Sequence, residues 1–264
     1  MYDHILDVIK QTEIDYDIKI LYACESGSRA WGFPSKDSDY DVRFIYIHRK
    51  DWYLSIDQER DVIEIPMRDK VSIPVDDLMD MSGWELTKAL KLFRKFNPPL
   101  LEWLHSNIVY YESFSTAEQM RNFGEKIFSP TSCLYHYLNM AKGNFREYLQ
   151  GDAVRIKKYF YVLRPVLAAR WIKKYQSIPP IDFHELFEDA ALPLDLHEEI
   201  TTLLKRKIAG EELNAEPRID VINSFLQNEI EELEAYAKNL DYESVDPTEQ
   251  LNDLFRSTLE EVWG

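Results

Sequence analysis

A strand, a Gly-Ser turn and a second strand bearing two acids constrain this chain more than any other stretch. Residues 26–44 read SGSRAWGFPSKDSDYDVRF, with ten residues separating Gly27-Ser28 from Asp39-Tyr40-Asp41. The preceding segment, residues 18–24, is apolar and β-branched enough to predict a strand. From Tyr40 the residues alternate, with Val42, Phe44 and Tyr46 on one face and Asp39, Asp41, Arg43 and Ile45 on the other. That period of two belongs to a half-buried strand and projects both carboxylates to the same side. Two acids held side by side cost electrostatic energy unless a cation lies between them. Magnesium suits such a pair, because it prefers carboxylate oxygen and keeps positions for phosphate oxygens. The Gly-Ser pair adds a tight turn whose N–H groups and hydroxyl can hold phosphate.

Other readings compete for the same residues. Asp37-x-Asp39-x-Asp41 opens like an EF-hand loop, but Val42 stands where the turn glycine belongs and His48 where the closing glutamate belongs, so that reading fails. An Asp-x-Asp also holds the metal in glycosyltransferases, which need no strand and Gly-Ser turn upstream. An ordinary solvated turn is the plainest alternative, since Ser, Asp and Pro gather in loops. The upstream Gly-Ser at this spacing weighs against it.

The chain's 264 residues allow one large domain or two smaller ones with ample core. No run of eighteen apolar residues offers a membrane span. The N-terminus lacks the basic and apolar regions of a secretory signal, and Cys24 and Cys133 make no metal or disulfide pattern. These features point to the cytoplasm. A net charge of −16 argues against broad binding of nucleic acid over the whole surface, while leaving room for a local basic groove. Acid concentrates in residues 228–236 and at Glu260-Glu261, and base at Lys88–Lys95 and Arg155–Lys174.

Hydrophobic spacing predicts a helix over residues 2–14 and strands at 18–24, 40–48, 60–66 and 71–79. Ser82 and Glu85 form an S-x-x-E pattern that predicts a helix start there, carried by Leu86, Ala89, Leu90, Phe93 and Phe96 and stopped by Asn97-Pro98-Pro99. A short element at 100–104 leads to apolar residues 108–111. Beyond residue 116 the pattern is helical. Thr131-Ser132 can cap a helix, residues 156–175 form a long one that Pro165 interrupts or kinks, and others fall near 183–190, 195–209, 218–239 and 248–262. The expected class is α+β: an α/β domain with a mixed sheet over residues 1–115, then an all-helical domain over 116–264.

A two-metal phosphoryl site needs a third carboxylate on a neighbouring strand. Asp80, Glu64 and Asp77 are the candidates, with Asp80 preferred from strand placement and Glu64 the alternative. Asp80 also suits a position just ahead of a helix dipole. Arg29, directly after the Gly-Ser turn, is the best-placed phosphate ligand, with a surface salt bridge as the lesser alternative. Lys157, Tyr161 and Arg164 share a helical spacing that could close over a nucleotide; a solvated face is the bland reading. Lys88, Lys91 and Lys95 also share a face, more in keeping with solvent than with a groove. Tyr40, Trp31 and Trp84 could stack on a base, with core packing the simpler assumption for each. His136 reads as a structural histidine.

Gly27-Ser28 followed by Asp39-x-Asp41 resembles the signature of the DNA polymerase β-like nucleotidyltransferase superfamily. The longer strings ESGSRAWGFPSKDSDYDVRFIY, GWELTKALKLF, NPPLLEWL and KKYFYVLRPVLAARWI are similar to nucleotidyltransferases of the YcgL/RlaP type, a family associated with RNA ligases and RNA repair. The similarity spans residues 20–175. It implies transfer of a nucleoside monophosphate from an NTP, ATP among them, to an acceptor hydroxyl with release of pyrophosphate. Asp39 and Asp41 would be paired ligands of two magnesium ions, with manganese as a substitute, and Gly27 and Ser28 would hold the β- and γ-phosphates. The third carboxylate has no unique match, so Asp80 and Glu64 both stay open. The family-level acceptor is an RNA end. Rival readings are a protein or small-molecule acceptor, glycosyl transfer, or a nucleotide-binding regulatory protein without turnover.

Overall fold

A computed structural model describes residues 1–211, 215–240 and 246–264 of the chain. They form two compact units. The first gathers the described parts of Met1–Ala30, Ser38–Ile127 and Val245–Gly264, and the second those of Trp31–Asp37 and Phe128–Ser244. The chain therefore does not divide once near residue 115. The first unit recovers a helix from the far C-terminus, and the second takes the short segment between the Gly-Ser turn and the acidic strand.

The first unit opens with α1 (Tyr2–Tyr16), β1 (Ile18–Glu25), the single-turn α2 (Gly27–Ala30), β2 (Tyr40–His48) and the single-turn α3 (Lys50–Tyr53). It continues through β3 (Val62–Ile65), β4 (Met79–Glu85), α4 (Leu86–Phe93), α5 (Pro98–Leu104), β5 (Val109–Glu112) and α6 (Thr116–Ile127). The strands make one mixed sheet in the order β3-β4-β2-β1-β5, in which β2 and β4 run parallel and every other pair is antiparallel. The alternation expected of β2 is present: Val42, Phe44 and Tyr46 are buried in a cluster with Ile5, Val8 and Ile9 of α1 and Met79 and Met81 of β4. On the reverse face Ile45 and Ile47 are buried too, so only the first half of β2 leaves polar residues uncovered.

The segment over 79–85 is a strand rather than the start of a helix. Met79, Met81, Gly83 and Glu85 are buried in strict alternation, and β4 pairs with strands on both sides. The local S-x-x-E signal yields to that pairing. Ser82 lies mid-strand, and Glu85 itself caps α4 by accepting from the Thr87 and Lys88 N–H groups. The strand expected over 71–79 is correspondingly displaced. Asn97-Pro98-Pro99 begins a helix as well as ending one, since the Asn97 side chain caps α5 with proline in its first turn.

The second unit contains α7 (Pro130–Tyr148), β6 (Ala153–Arg155), a 3₁₀ turn (Ile156–Lys158), α8 (Tyr159–Tyr175), α9 (Phe183–Asp189), α10 (Leu194–Ile208), β7 (Ala215–Pro217) and α11 (Asp220–Ala237). It is helical but not all-helical, because β6 and β7 pair antiparallel. Ser129, not Thr131-Ser132, caps α7. Pro165 sits inside α8 without ending it, and Phe33 of the 31–37 segment packs with Phe160 and Phe183. The last helix, α12 (Thr248–Trp263), belongs to the first unit, where Thr258 meets Thr116 and Glu261 accepts from Ser115. Among the described residues no helix is long and apolar enough to cross a membrane.

Candidate active site

Register decides which acids meet. Asp41 of β2 is paired with Asp80 of β4, so their side chains leave the same face of adjacent parallel strands. Arg43, two residues along β2 on that face, holds both. Its Nη2 donates to Asp41 Oδ1 at 2.9 Å and to Asp80 Oδ2 at 2.8 Å, while Nη1 donates to the carbonyls of Val42 and Asp80 at 3.1 and 2.8 Å. Arg43 and Asp41 are largely covered, with side chains 17% and 29% exposed, whereas Asp80 is open at 46%. Burial pushes the Asp41 carboxyl above its ordinary range; Arg43 pulls it down, and the nearby carboxylates of Asp80 and Asp39 push it up again. Asp39 lies exposed, one residue ahead of β2.

Gly27 is required by two independent facts. Its φ of +59° is left-handed, and a Cβ there would stand 2.0 Å from Asp41 Oδ2. The absent side chain is therefore the space in which the Asp41 carboxylate rests. Ser28 follows, its hydroxyl donating to Ser38 Oγ at 3.3 Å. Arg29 is engaged with the backbone: Nε and Nη2 donate to the carbonyls of Asp39 and Ser38 at 3.0 and 2.7 Å, and the guanidinium lies 3.8 Å from the Tyr40 ring centroid. These contacts fasten the start of β2 to the turn that follows β1. Arg29 is thus placed to position the acids.

Beneath the site lies Glu25, the last residue of β1 and fully buried. Its Oε1 accepts the Asp41 N–H at 2.7 Å, Oε2 accepts the Tyr110 hydroxyl, and its carbonyl accepts from Ser106 Oγ at 2.7 Å. Burial raises its carboxyl pKa against the pull of those two donors. Neither Glu25 nor the bridging role of Arg43 emerges from the motif alone. In the sequence Arg43 is only a residue sharing the face of Asp41, and Glu25 lies one residue beyond the strand expected at 18–24.

The remaining candidates separate. Glu64 is on β3 opposite Ser82, beyond β4 from Asp41, and is paired with Arg60 and Arg68 at 2.9 and 3.4 Å. Asp77 is exposed ahead of β4. Asp80 is the one that register brings to Asp41. Lys88 pairs with Asp61 at 3.0 Å, and Trp84 packs on the buried Trp103 with ring centroids 3.9 Å apart and planes tilted by 32°, a packing role. In the second unit Lys157 is exposed in the 3₁₀ turn, but Arg164 is only 2% exposed, with its guanidinium 4.9 Å from the Trp31 ring and Nη2 on the Ile181 carbonyl. Lys157, Tyr161 and Arg164 therefore do not share an open face, because α8 is buried nearly all round at Arg164.

Among the described residues no three Asp, Glu, His or Cys side chains stand close enough to form a complete metal cage. The pair nonetheless fits a divalent cation by its donors. Asp41 and Asp80 offer carboxylate oxygen from adjacent strands, Asp39 stands at the edge, and a cationic group already bridges the two.

The sequence matches RlaP, the RNA repair pathway DNA polymerase beta family, over residues 1–257. The chain belongs to that family. It is 56% identical over 263 residues, 100% of this chain and 98% of the relative, to the uncharacterized protein YcgL of Bacillus subtilis strain 168. A solved nucleotidyltransferase-like protein from Exiguobacterium sibiricum is similar over 86% of this chain and 75% of its own, at 11% identity and a TM-score of 0.34.

Proposed function

We propose that this chain is a magnesium-dependent nucleotidyltransferase that moves a nucleoside monophosphate from an NTP to an acceptor hydroxyl. The observation that carries the reading is the juxtaposition of Asp41 and Asp80 across parallel strands, with Gly27 clearing the space for one carboxylate. Asp39, Asp41 and Asp80 would hold the divalent ions, which when bound supply positive charge to the α-phosphate and the leaving pyrophosphate. The chain's own residues do the rest. The Gly27-Ser28 turn presents N–H groups and a hydroxyl to the β- and γ-phosphates. Arg29 keeps Asp39 and the start of β2 in register with that turn. Glu25 fixes the Asp41 backbone from below.

In the transfer, the acceptor oxygen forms a bond to the α-phosphorus as the bond to the bridging oxygen of pyrophosphate breaks. The hydroxyl proton passes to a carboxylate, for which the open Asp80 is best placed. Family membership makes an RNA end the first acceptor to test, ahead of a protein or a small molecule.

A second reading, a nucleotide-binding regulatory protein without turnover, is favoured by one feature: Arg43 lies between the two carboxylates. Incubation with α-labelled NTPs, magnesium and RNAs bearing different ends separates the two. Label incorporation with stoichiometric pyrophosphate release supports transfer. Tight NTP binding with neither, across RNA, protein and small-molecule acceptors, supports the regulatory reading and overturns the enzymatic one.

A further inference from the structure

Among the described residues Arg43 makes four hydrogen bonds, all of them within the site. Two bind strand carbonyls, of Val42 and Asp80, and two bind the carboxylates that would receive a cation. The carbonyl bonds anchor the guanidinium to β2 and β4, two internal strands of the sheet. The carboxylate bonds come from a single nitrogen, Nη2, which reaches Asp41 and Asp80 together. Without a positive group at this point the two strands would carry an uncompensated acid pair at matched register.

The geometry points to Arg43 as a latch: a resident counter-cation that competes with divalent ions for Asp41 and Asp80 and must yield them before metal binds. It is a positioning residue, and the inference rests on the reading of these acids as metal ligands. Two consequences follow. The acids stay aligned while no metal is present, because Nη2 of Arg43 donates to both of them. Free metal binds weakly, because it must displace a charge-assisted hydrogen bond, so loading is favoured when a nucleotide triphosphate arrives with its own ion. A merely structural arginine would make the opposite demand. If Arg43 only oriented Asp41 for metal, its removal would weaken binding.

The sign of the change in metal affinity therefore decides. Mn²⁺ binding to the full-length protein, followed by electron paramagnetic resonance of the free ion, is compared for the wild type, Arg43→Gln, Arg43→Lys and Asp41→Asn. Arg43→Gln is expected to bind Mn²⁺ about five- to tenfold more tightly than wild type, with Arg43→Lys between them and Asp41→Asn weakest. Thermal melts give a readout that survives loss of stability in the variant. Without metal Arg43→Gln should melt below wild type, and Mn²⁺ should raise its melting temperature more than it raises that of wild type. Equal or weaker Mn²⁺ binding in both Arg43 variants, with wild-type binding intact, would overturn the latch and leave the metal site standing. No Mn²⁺ binding to any of the four proteins would remove both the latch and the metal reading beneath it.

Discussion

Two glutamates in the first unit are completely buried, and they do different things at the two ends of one sheet. Glu25 closes β1 opposite Val42, at the acidic end of β2; Glu85 closes β4 opposite Tyr46, four residues along β2. Each accepts a tyrosine hydroxyl, from Tyr110 and Tyr53 respectively, and in each burial raises the carboxyl pKa. Their other partners distinguish them. Glu85 receives the Thr87 and Lys88 N–H groups and so caps α4, which needs an acceptor at its first turn. Glu25 receives the Asp41 N–H and so holds the strand residue that bears the site. A raised carboxyl pKa therefore does not mark a functional site; what the carboxylate fastens does.

The contrast extends to the glycines beside them, where the largest effects are expected. Gly27→Ala would place a methyl group on the Asp41 carboxylate at a positive φ, and nucleotidyl transfer should fall at least about a hundredfold. Its stability loss should be moderate, about 1–3 kcal/mol. Gly83→Ala would instead drive a methyl group into the Phe44 ring, 2.1 Å away. There the melting temperature should drop sharply, and the surviving folded fraction should keep full specific activity. Melts paired with activity per folded molecule separate the two; equal specific activities would break the distinction between site end and core end.

Much of this was legible along the chain. The β2 strand is a local property and runs over Tyr40–His48, with burial alternating as far as Phe44. Pairing was not legible. Asp80 could be preferred to Glu64 but not chosen until β4 was seen parallel to β2, with Glu64 one strand further out. The 79–85 segment misleads because a four-residue capping pattern competes with a strand alternation of similar length, and tertiary pairing decides between them. Arg164 shows the same limit in a helix: i, i+4, i+7 spacing gives a shared direction, whereas exposure depends on what packs over it. The return of α12 to the first unit rests on contacts such as Arg94 to Thr248, separated by 154 residues, for which no local signal exists.

The glutamates themselves sharpen the comparison at the next size of effect. Glu85→Ala strips α4 of its cap and leaves the Tyr53 hydroxyl without its acceptor, so unfolding free energy should fall by about 2–4 kcal/mol with activity per folded molecule unchanged. Glu25→Gln keeps the shape but presents an amide to one of its two donors, and should lower transfer about tenfold for a smaller stability loss. Chemical denaturation run beside a transfer assay tests both. A catalytic defect in Glu85→Ala larger than that in Glu25→Gln would reverse the assignment of the two ends.

The smallest expected effect is a pH slope. His48, stacked on Trp52 at the end of β2, is held neutral by burial, its pKa lowered from 6.5 to about 4. Between those values the unfolded chain binds more protons than the folded one, so stability falls as pH drops through that window. The slope should not exceed about 1.4 kcal/mol per pH unit. Replacement by phenylalanine should flatten it without altering transfer at neutral pH, as urea melts between pH 7 and pH 5 would reveal. A slope unchanged by His48→Phe would remove His48 as its source.

The pairing of Asp41 with Asp80 is the central claim, and it is tested most directly by transfer of α-labelled NMP with pyrophosphate release in Asp39→Ala, Asp41→Asn and Asp80→Asn. Each variant's melt is recorded alongside. Loss of transfer by about a thousandfold in Asp41→Asn and Asp80→Asn, with cooperative unfolding retained, is the predicted result. Full activity in either of those two folded variants would contradict it.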